Sequence, residues 1–393
     1  MTDHDATISE MKDLAAEAGL RRVTILAWRD LDDPEAGGSE VSAAMTAKYW
    51  AEAGLEVTMR TSFAVNHPPI AWRDGYRVVR KAGRYAVFPR AAISQAIAPR
   101  DLAHGLVEIW NGMPFFSPVW SRNPHVAMVH HVHGEMWRMT LPPRLAALGN
   151  FIESTIAPPL YRRTPIVTPS ESSKSELVDV MNFSPAMVTV VQPGIDPRFT
   201  PGGTKSPAPL IAAVGRLVPV KQFHVLVDTV VRLKRLHPTL EVVIAGEGYE
   251  RERLEDRIHA ADAEDWIKLP GRISDKEVVD LYRRAWAVAS ASAREGWGLT
   301  ISEAAACGTT AVATRIVGHL DAVEDGHTGL LASDPAEMVE CLDRLVRDQA
   351  LRVALSTAAL ERASWLTWER SALGVLEVLA ADAIRRRQLR SRR

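Results

Sequence analysis

Two carboxylates, Glu295 and Glu303, stand with seven residues between them in the run Glu295-Gly296-Trp297-Gly298-Leu299-Thr300-Ile301-Ser302-Glu303. The first lies in a glycine-broken loop. The second lies about one turn inside an apolar helix that continues through Ala304-Ala305-Ala306-Cys307-Gly308. Ahead of them, Ala287-Val288-Ala289-Ser290-Ala291-Ser292 reads as a strand. Strand, glycine loop and helix start together form a unit with which α/β proteins hold a phosphorylated ligand. A phosphate there would meet backbone N–H groups near Gly298, Leu299 and Thr300 and the positive end of the helix dipole. Gly296 and Gly298 let the backbone come close to it. Glu303 can accept two hydrogen bonds from adjacent hydroxyls, as a ribose offers. Glu295 stands on the side away from the ribose, where a sugar joined to the diphosphate would lie. The plainer alternative is an acid that favours the helix dipole beside an ordinary exposed acid.

Gly215-Arg216-Leu217-Val218-Pro219-Val220-Lys221 follows an earlier strand of the same half. An arginine fork and a lysine point charge at the carboxyl end of a strand suit a diphosphate and the charge that builds as it departs. The plainer alternative is two surface cations, which the shared sheet edge with the glutamate loop disfavours. Gly246-Glu247-Gly248 is a turn. Arg272 follows another strand end and is a candidate for a base pocket, whereas Ser274 with Glu277 three residues on reads as a helix cap. In the first half, Gly37-Gly38-Ser39 opens a helix after a strand. It offers either its backbone to a phosphate or sugar, or a flexible turn capped by Ser39.

Val129-His130-His131-Val132-His133-Gly134-Glu135 also follows a strand. Without a second ligand cluster a metal is not expected, and a histidine hydrogen-bonded to a sugar hydroxyl or an acceptor is the functional alternative to packed or solvated histidines. Asp30-Leu31-Asp32 matches a short metal-dependent pattern but has no evident metal partner, so it is set aside.

These residues need a scaffold of alternating strands and helices, and the chain supplies it. Strands are expected at 23–28, from 57, and at 126–129, 166–168 and 188–191. Later strands are expected at 210–214, 241–245, 266–269, 286–291, 310–313 and 328–331. Helices fall at 7–20, 39–53 (closed by Gly54), 221–237, 250–262, 274–284, 299–307 and 334–348. A helical remainder spans about 350–388, anchored by Trp365 and Trp368. Prolines 193, 197 and 201 with Gly202 and Gly203 mark an interdomain linker. The expected fold class is α/β: two Rossmann-like domains, 1–195 and 205–366, facing across a cleft, with 367–393 packing back on the first.

The 393 residues suit two cores; 47% are hydrophobic and 24% charged, and the net charge is −1, so no bulk attraction to nucleic acid is expected. Two cysteines make no disulfide framework, and no signal peptide or run of 18 apolar residues is evident, so the cytoplasm is the expected location. The tail Arg385-Arg386-Arg387-Gln388-Leu389-Arg390-Ser391-Arg392-Arg393 is either a solvated, frayed end or a contact for anionic lipid or acidic polymer.

At 295–308 the chain resembles the family 4 retaining glycosyltransferases of the GT-B fold, whose paired-glutamate pattern is matched by Glu295 and Glu303. The resemblance extends to Arg216 and Lys221 in a G-R-L-x-x-x-K loop, to Gly37-Gly38-Ser39-Glu40, and to Val191-Gln192-Pro193-Gly194-Ile195-Asp196…Phe199. It implies that Arg216 and Lys221 hold the donor diphosphate, Glu303 the ribose and Glu295 the transferred sugar. It also implies that a histidine, His130 or in the alternative register His131, stands near the sugar and acceptor. No metal or other cofactor is implied. Two features depart from the family: Trp297, and Val317-Gly318-His319-Leu320-Asp321 in place of a G-G-x-P-E stretch.

The implied donor is a UDP- or GDP-sugar, and the acceptor a small molecule, glycan or lipid-linked group. The alternatives are a phosphorylase or epimerase on this fold, or a silent nucleotide-sugar-binding protein. Acceptor recognition is expected in the first domain, around His131, His133, Trp137 and Arg138. There the apolar loops 110–118 and 136–144 are either core packing, an acceptor pocket, or, with Arg138, Arg144, Arg162 and Arg163, a membrane-facing patch at the inner face of a membrane.

Overall fold

The computed structural model describes residues 3–97 and 100–391, so Met1, Thr2 and the tail's Arg392 and Arg393 lie outside the described residues. Two compact units form: Met1–Gly194 with Thr367–Arg393, and Ile195–Leu366.

The first unit is built on an eight-stranded sheet in the order β3-β4-β2-β1-β5-β6-β7-β8. Its strands are β1 (Arg22–Leu26), β2 (Glu56–Ser62), β3 (Ile70–Arg73), β4 (Tyr76–Ala82), β5 (His104–Trp110), β6 (His125–Val129), β7 (Ile166–Thr168) and β8 (Val188–Val190). All pair in parallel except β3 and β4, an antiparallel hairpin at the edge. Sequence reasoning missed this hairpin although its turn, Asp74-Gly75, with φ positive at both residues, is a hairpin signal, because β3 is short and largely exposed and carries no apolar pattern. The order runs outward in both directions from β1 and β5. That creates a switch point where the loops after these strands splay apart and leave room for a ligand.

The second unit carries a six-stranded parallel sheet, β11-β10-β9-β12-β13-β14. The strands are β9 (Leu210–Val214), β10 (Glu241–Ala245), β11 (Ile267–Gly271), β12 (Ala287–Ser290), β13 (Ala311–Thr314) and β14 (Gly329–Ala332). Ile211 and Ala213 of β9 pack into one core, and Leu210 and Ala212 into another on the opposite face. Helices cover both faces, which is why these strands are continuously apolar rather than alternating. The switch point here lies between β9 and β12.

The helical remainder is two helices, Gln349–Ala363 in the second unit and Trp368–Ser391 in the first. Trp368 is 2% exposed but Trp365 is 65% exposed, so only one of the two expected anchors is buried. In the first unit Leu379 packs against Gly105 of β5, the Trp50 indole donates to Ala372 O at 2.9 Å, and Asp382 accepts from the His125 N–H at 3.0 Å. The expectation of a solvated tail fails over its first part. Arg385 and Arg386 pair with the buried Asp382, and Arg387 donates to Gly19 O at 2.7 Å.

Candidate functional site

In the second unit the chemistry collects at the carboxyl ends of four adjacent strands: β10, β9, β12 and β13. The loop after β9 is tied to the one after β10, Leu217 N–H donating to Glu247 O at 2.8 Å. Gly246-Glu247-Gly248 thus braces the Arg216 loop rather than forming an independent turn. Lys221 closes a short 3₁₀ turn, Pro219–Lys221, and its Nζ donates to Glu295 Oε1 at 2.5 Å. Ser292 Oγ donates to the same oxygen at 2.7 Å. Burial alone would raise the Glu295 carboxyl; the Lys221 ammonium, His319 and the two hydrogen bonds outweigh it and hold Glu295 below the usual carboxylate range.

Gly298 caps the helix Leu299–Ala306 in a left-handed conformation, φ 108°, which a side chain would disfavour. The first backbone bond of this helix is made by Ile301, to Gly298 O at 2.9 Å, so the Leu299 and Thr300 amides precede the intrahelical ladder. Glu303, one turn on, accepts from the Tyr282 hydroxyl at 3.2 Å. Burial pushes its carboxyl up to about 7; the Tyr282 bond, Lys221 and Arg198 oppose the rise, and Asp196 adds to it. Asp196 and Arg198, bonded to each other, therefore belong to the electrostatic surroundings of Glu303. Arg216 stands half-buried in the β9 loop, while Arg272 is exposed after β11, at the edge of the sheet with β10 between it and β9.

The stretch that departs from the family pattern packs under the glutamate loop. A Cβ on Gly318 would lie 2.7 Å from Glu295 O and Gly296 C, so the two backbones touch. His319 is fully buried, its Nδ1 2.9 Å from Thr314 O and its Nε2 3.3 Å from Ser290 Oγ. Burial lowers its pKa. Trp297, the other departure, is core: 3% exposed, its indole N–H donating to Ser302 Oγ at 2.8 Å.

In the first unit Gly37 caps the helix Gly38–Glu52, and Ser39 lies inside its first turn rather than capping it. Glu40 holds the glycine loop: its Oε2 accepts from Gly37 N–H at 2.8 Å and from Ser39 Oγ at 3.0 Å, and Arg29 binds its other oxygen at 3.3 Å. Asn111, just after β5, donates to Ser39 Oγ at 3.1 Å. His130, just after β6, is pushed down to about 4 by burial, with Glu40 opposing. Its Nε2 is buried without a hydrogen-bond partner among the described residues. A neutral imidazole with an unsatisfied nitrogen is suited to a hydrogen bond with a ligand, not to an ion pair. Residues after β1, β5 and β6 thus meet at this unit's switch point.

The other candidates resolve differently. His131 and His133 stack at 4.7 Å, and His133 lies 5.1 Å from the Trp137 ring. Trp137 is 9% exposed, and the buried Glu153 accepts from its indole N–H at 2.9 Å and from the His133 and Gly134 amides. The 110–118 loop is likewise core, with Trp110 and Phe115 buried and Glu108 accepting from Ser117 N–H at 3.0 Å. Arg138 is exposed beside Glu135. Asp30 and Asp32 are spent on the buried Arg80, the former at 2.6 Å, which explains the short acidic pattern. Ser274 caps its helix in a full box with Glu277, as its spacing predicts.

Sequence reasoning missed Ser292, Tyr282, His319, Asn111 and the locking role of Glu40. Only Glu40 left a signal, an acid three residues after the cap. Tyr282 and Asn111 meet their partners 21 and 72 residues away, whereas Ser292 and His319 bond within their own loops, at Glu295 and Thr314, with no sequence pattern that marks them.

The family model "Glycosyl transferases group 1" matches residues 198–362, and "Glycosyltransferase Family 4" matches residues 36–199. A D-inositol 3-phosphate glycosyltransferase of Stackebrandtia nassauensis is 35% identical over 252 residues, 58% of this chain and 56% of that protein. The alignment thus spans little more than half of the relative. One of the same name from Thermobifida fusca is 29% identical over 398 residues, covering 88% and 89%. Among solved structures, Anabaena HepE in complex with UDP and glucose superposes with a TM-score of 0.69 at 17% identity, covering 92% of this chain and 100% of that one, which is a likeness of fold.

Proposed function

Since the chain belongs to the family 4 glycosyltransferases, we propose that it moves a sugar, with retention of configuration, from a UDP- or GDP-linked donor to an acceptor hydroxyl. The observation that carries this reading is the Lys221–Glu295 pair beside Glu303 and the open helix start at Gly298. One cation and one carboxylate already face each other where a diphosphate and its sugar would lie. Lys221 and Arg216 hold the diphosphate and stabilise the charge of the departing nucleotide, so no metal is required for that task. Glu303 binds the ribose hydroxyls and Glu295 the sugar. The first unit binds the acceptor, with His130 Nε2 as the hydrogen-bonding atom and the Gly37-Gly38 backbone as a second polar surface.

Retention without a protein nucleophile implies attack from the face the diphosphate leaves, with the diphosphate taking the acceptor's proton. The nucleotide-sugar class is supported by the UDP and glucose held by HepE on this fold. The named relatives act on D-inositol 3-phosphate; the acceptor of this chain is taken as a small molecule, a glycan or a lipid-linked group.

A thermal-shift screen of UDP- and GDP-sugars tests the reading. A donor at 100 times its dissociation constant adds about 2.7 kcal/mol of stability, and the anomeric signal of the product reports retention. No shift with any nucleotide would overturn the assignment.

A further inference from the structure

From Met136 to Tyr161 the first unit presents an outer face that its fold does not explain. A helical run, Pro143–Phe151, Ile152–Ile156 and Ala157–Tyr161, buries Ala146, Gly149, Glu153, Ala157 and Tyr161 along one stripe. Beside that stripe, Leu145 and Leu148 are each 53% exposed, Phe151 51%, Ile156 41% and Leu160 43%. Five large apolar side chains on consecutive turns make a continuous patch, not the scattered single exposures normal for a surface.

From Met136 to Arg163 the exposed charges are all positive, and Glu135, just before that stretch, pairs with Arg138 at 3.5 Å. Arg138 and Arg144 stand at the beginning of the run and Arg162 and Arg163 at its end, all exposed. The last three have no ion-pair partner among the described residues. Glu153, the one carboxylate between Met136 and Arg163, is buried and committed to the His133 and Gly134 amides and the Trp137 indole. An apolar ridge framed by four arginines, with one exposed acid, Glu135, beside Arg138, matches the interface of an anionic bilayer, where the ridge enters the acyl boundary and the guanidinium groups meet phosphate. The arginine tail fits this role less well, because Arg385, Arg386 and Arg387 are engaged within the fold.

We infer that the helical face Leu145–Leu160, with Arg138, Arg144, Arg162 and Arg163, is a peripheral membrane-binding surface selective for anionic lipid. The inference does not rest on the transferase reading: of these residues only Arg138 was expected near the acceptor, and it stands exposed beside Glu135.

Sedimentation of the full chain with vesicles tests it. Vesicles of phosphatidylcholine alone are compared with vesicles one-third phosphatidylglycerol. Expected are partition onto the anionic vesicles at least tenfold stronger than onto the neutral ones, weakening at high salt, and at least a tenfold loss in the Leu148→Asp/Phe151→Asp double variant with unchanged circular dichroism. A charge-reversed Arg144→Glu/Arg162→Glu/Arg163→Glu variant should lose the preference for anionic lipid while staying folded. Absence of partition by the wild type, or partition that neither variant changes, overturns the inference. So does concentration-dependent self-association of the wild type that the apolar variant abolishes, since a second copy of the chain then covers this face.

Discussion

Lys221 Nζ and Glu295 Oε1 lie 2.5 Å apart, joining a 3₁₀ turn after β9 to the glycine loop after β12. Both side chains are less than one-fifth exposed, so the pair is shielded from solvent and constrains both loops. Lys221→Ala and Glu295→Ala should each lower sugar transfer at least tenfold, about 1.4 kcal/mol of barrier. If Glu295 holds the sugar as proposed, Glu295→Ala should hurt turnover more than nucleotide affinity. A double-mutant cycle on thermal stability should return a coupling of about 1–3 kcal/mol. Additive losses would show that the pair is incidental.

Glu303 predicts a pH dependence. Its carboxyl is pushed up to about 7 in the fold, above its unfolded value near 4.5. Between these values the folded state binds more protons than the unfolded one, so this group's contribution to stability declines as pH rises through that window. In the proposed ribose role donor binding runs the other way, because the ribose hydroxyls would donate to the ionised carboxylate. Nucleotide affinity should therefore weaken as pH falls below 7, approaching about tenfold per pH unit. The difference between wild type and Glu303→Gln in calorimetric titrations from pH 5.5 to 8 removes the nucleotide's own protonation. Parallel profiles would contradict the ribose role.

Gly318→Ala tests the floor of the glutamate loop. The added Cβ meets Glu295 O and Gly296 C at 2.7 Å, and φ at this position is 86°. The loop must move, at a cost of about 1–3 kcal/mol. Chemical denaturation should show that loss, and donor binding should weaken with it. An unchanged Kd would show that the loop position is not critical for the donor.

The helix Trp368–Ser391 predicts a stability effect in the first unit. Leu379 is fully buried against Gly105 of β5. Leu379→Ala should cost about 2–5 kcal/mol in urea unfolding, whereas Trp365→Ala, at an exposed position, should cost under about 0.5 kcal/mol.

The residue sequence by itself determined the parallel βα alternation, the glycine loops after strands, and the placing of Glu295, Glu303, Arg216, Lys221 and His130 at strand ends. These are local properties: periodicity, caps and glycine positions are written within a few residues of where they act. The capping box at Ser274 and Glu277 was legible for that reason. The β3–β4 hairpin was not, because a short exposed strand carries no apolar pattern. The two tryptophans near the C-terminal helix looked alike in sequence, yet one is core and one is surface. Only the tertiary structure decided that Lys221 meets Glu295, that burial raises the Glu303 carboxyl against the opposing Tyr282 bond, that His319 packs beneath the loop, and that Arg385–Arg387 are used by the fold. Each of those depends on which strands become neighbours at the switch point, or on which surface a helix covers. Contacts across tens to hundreds of residues arise from the packing of whole elements, and no local run of residues encodes them.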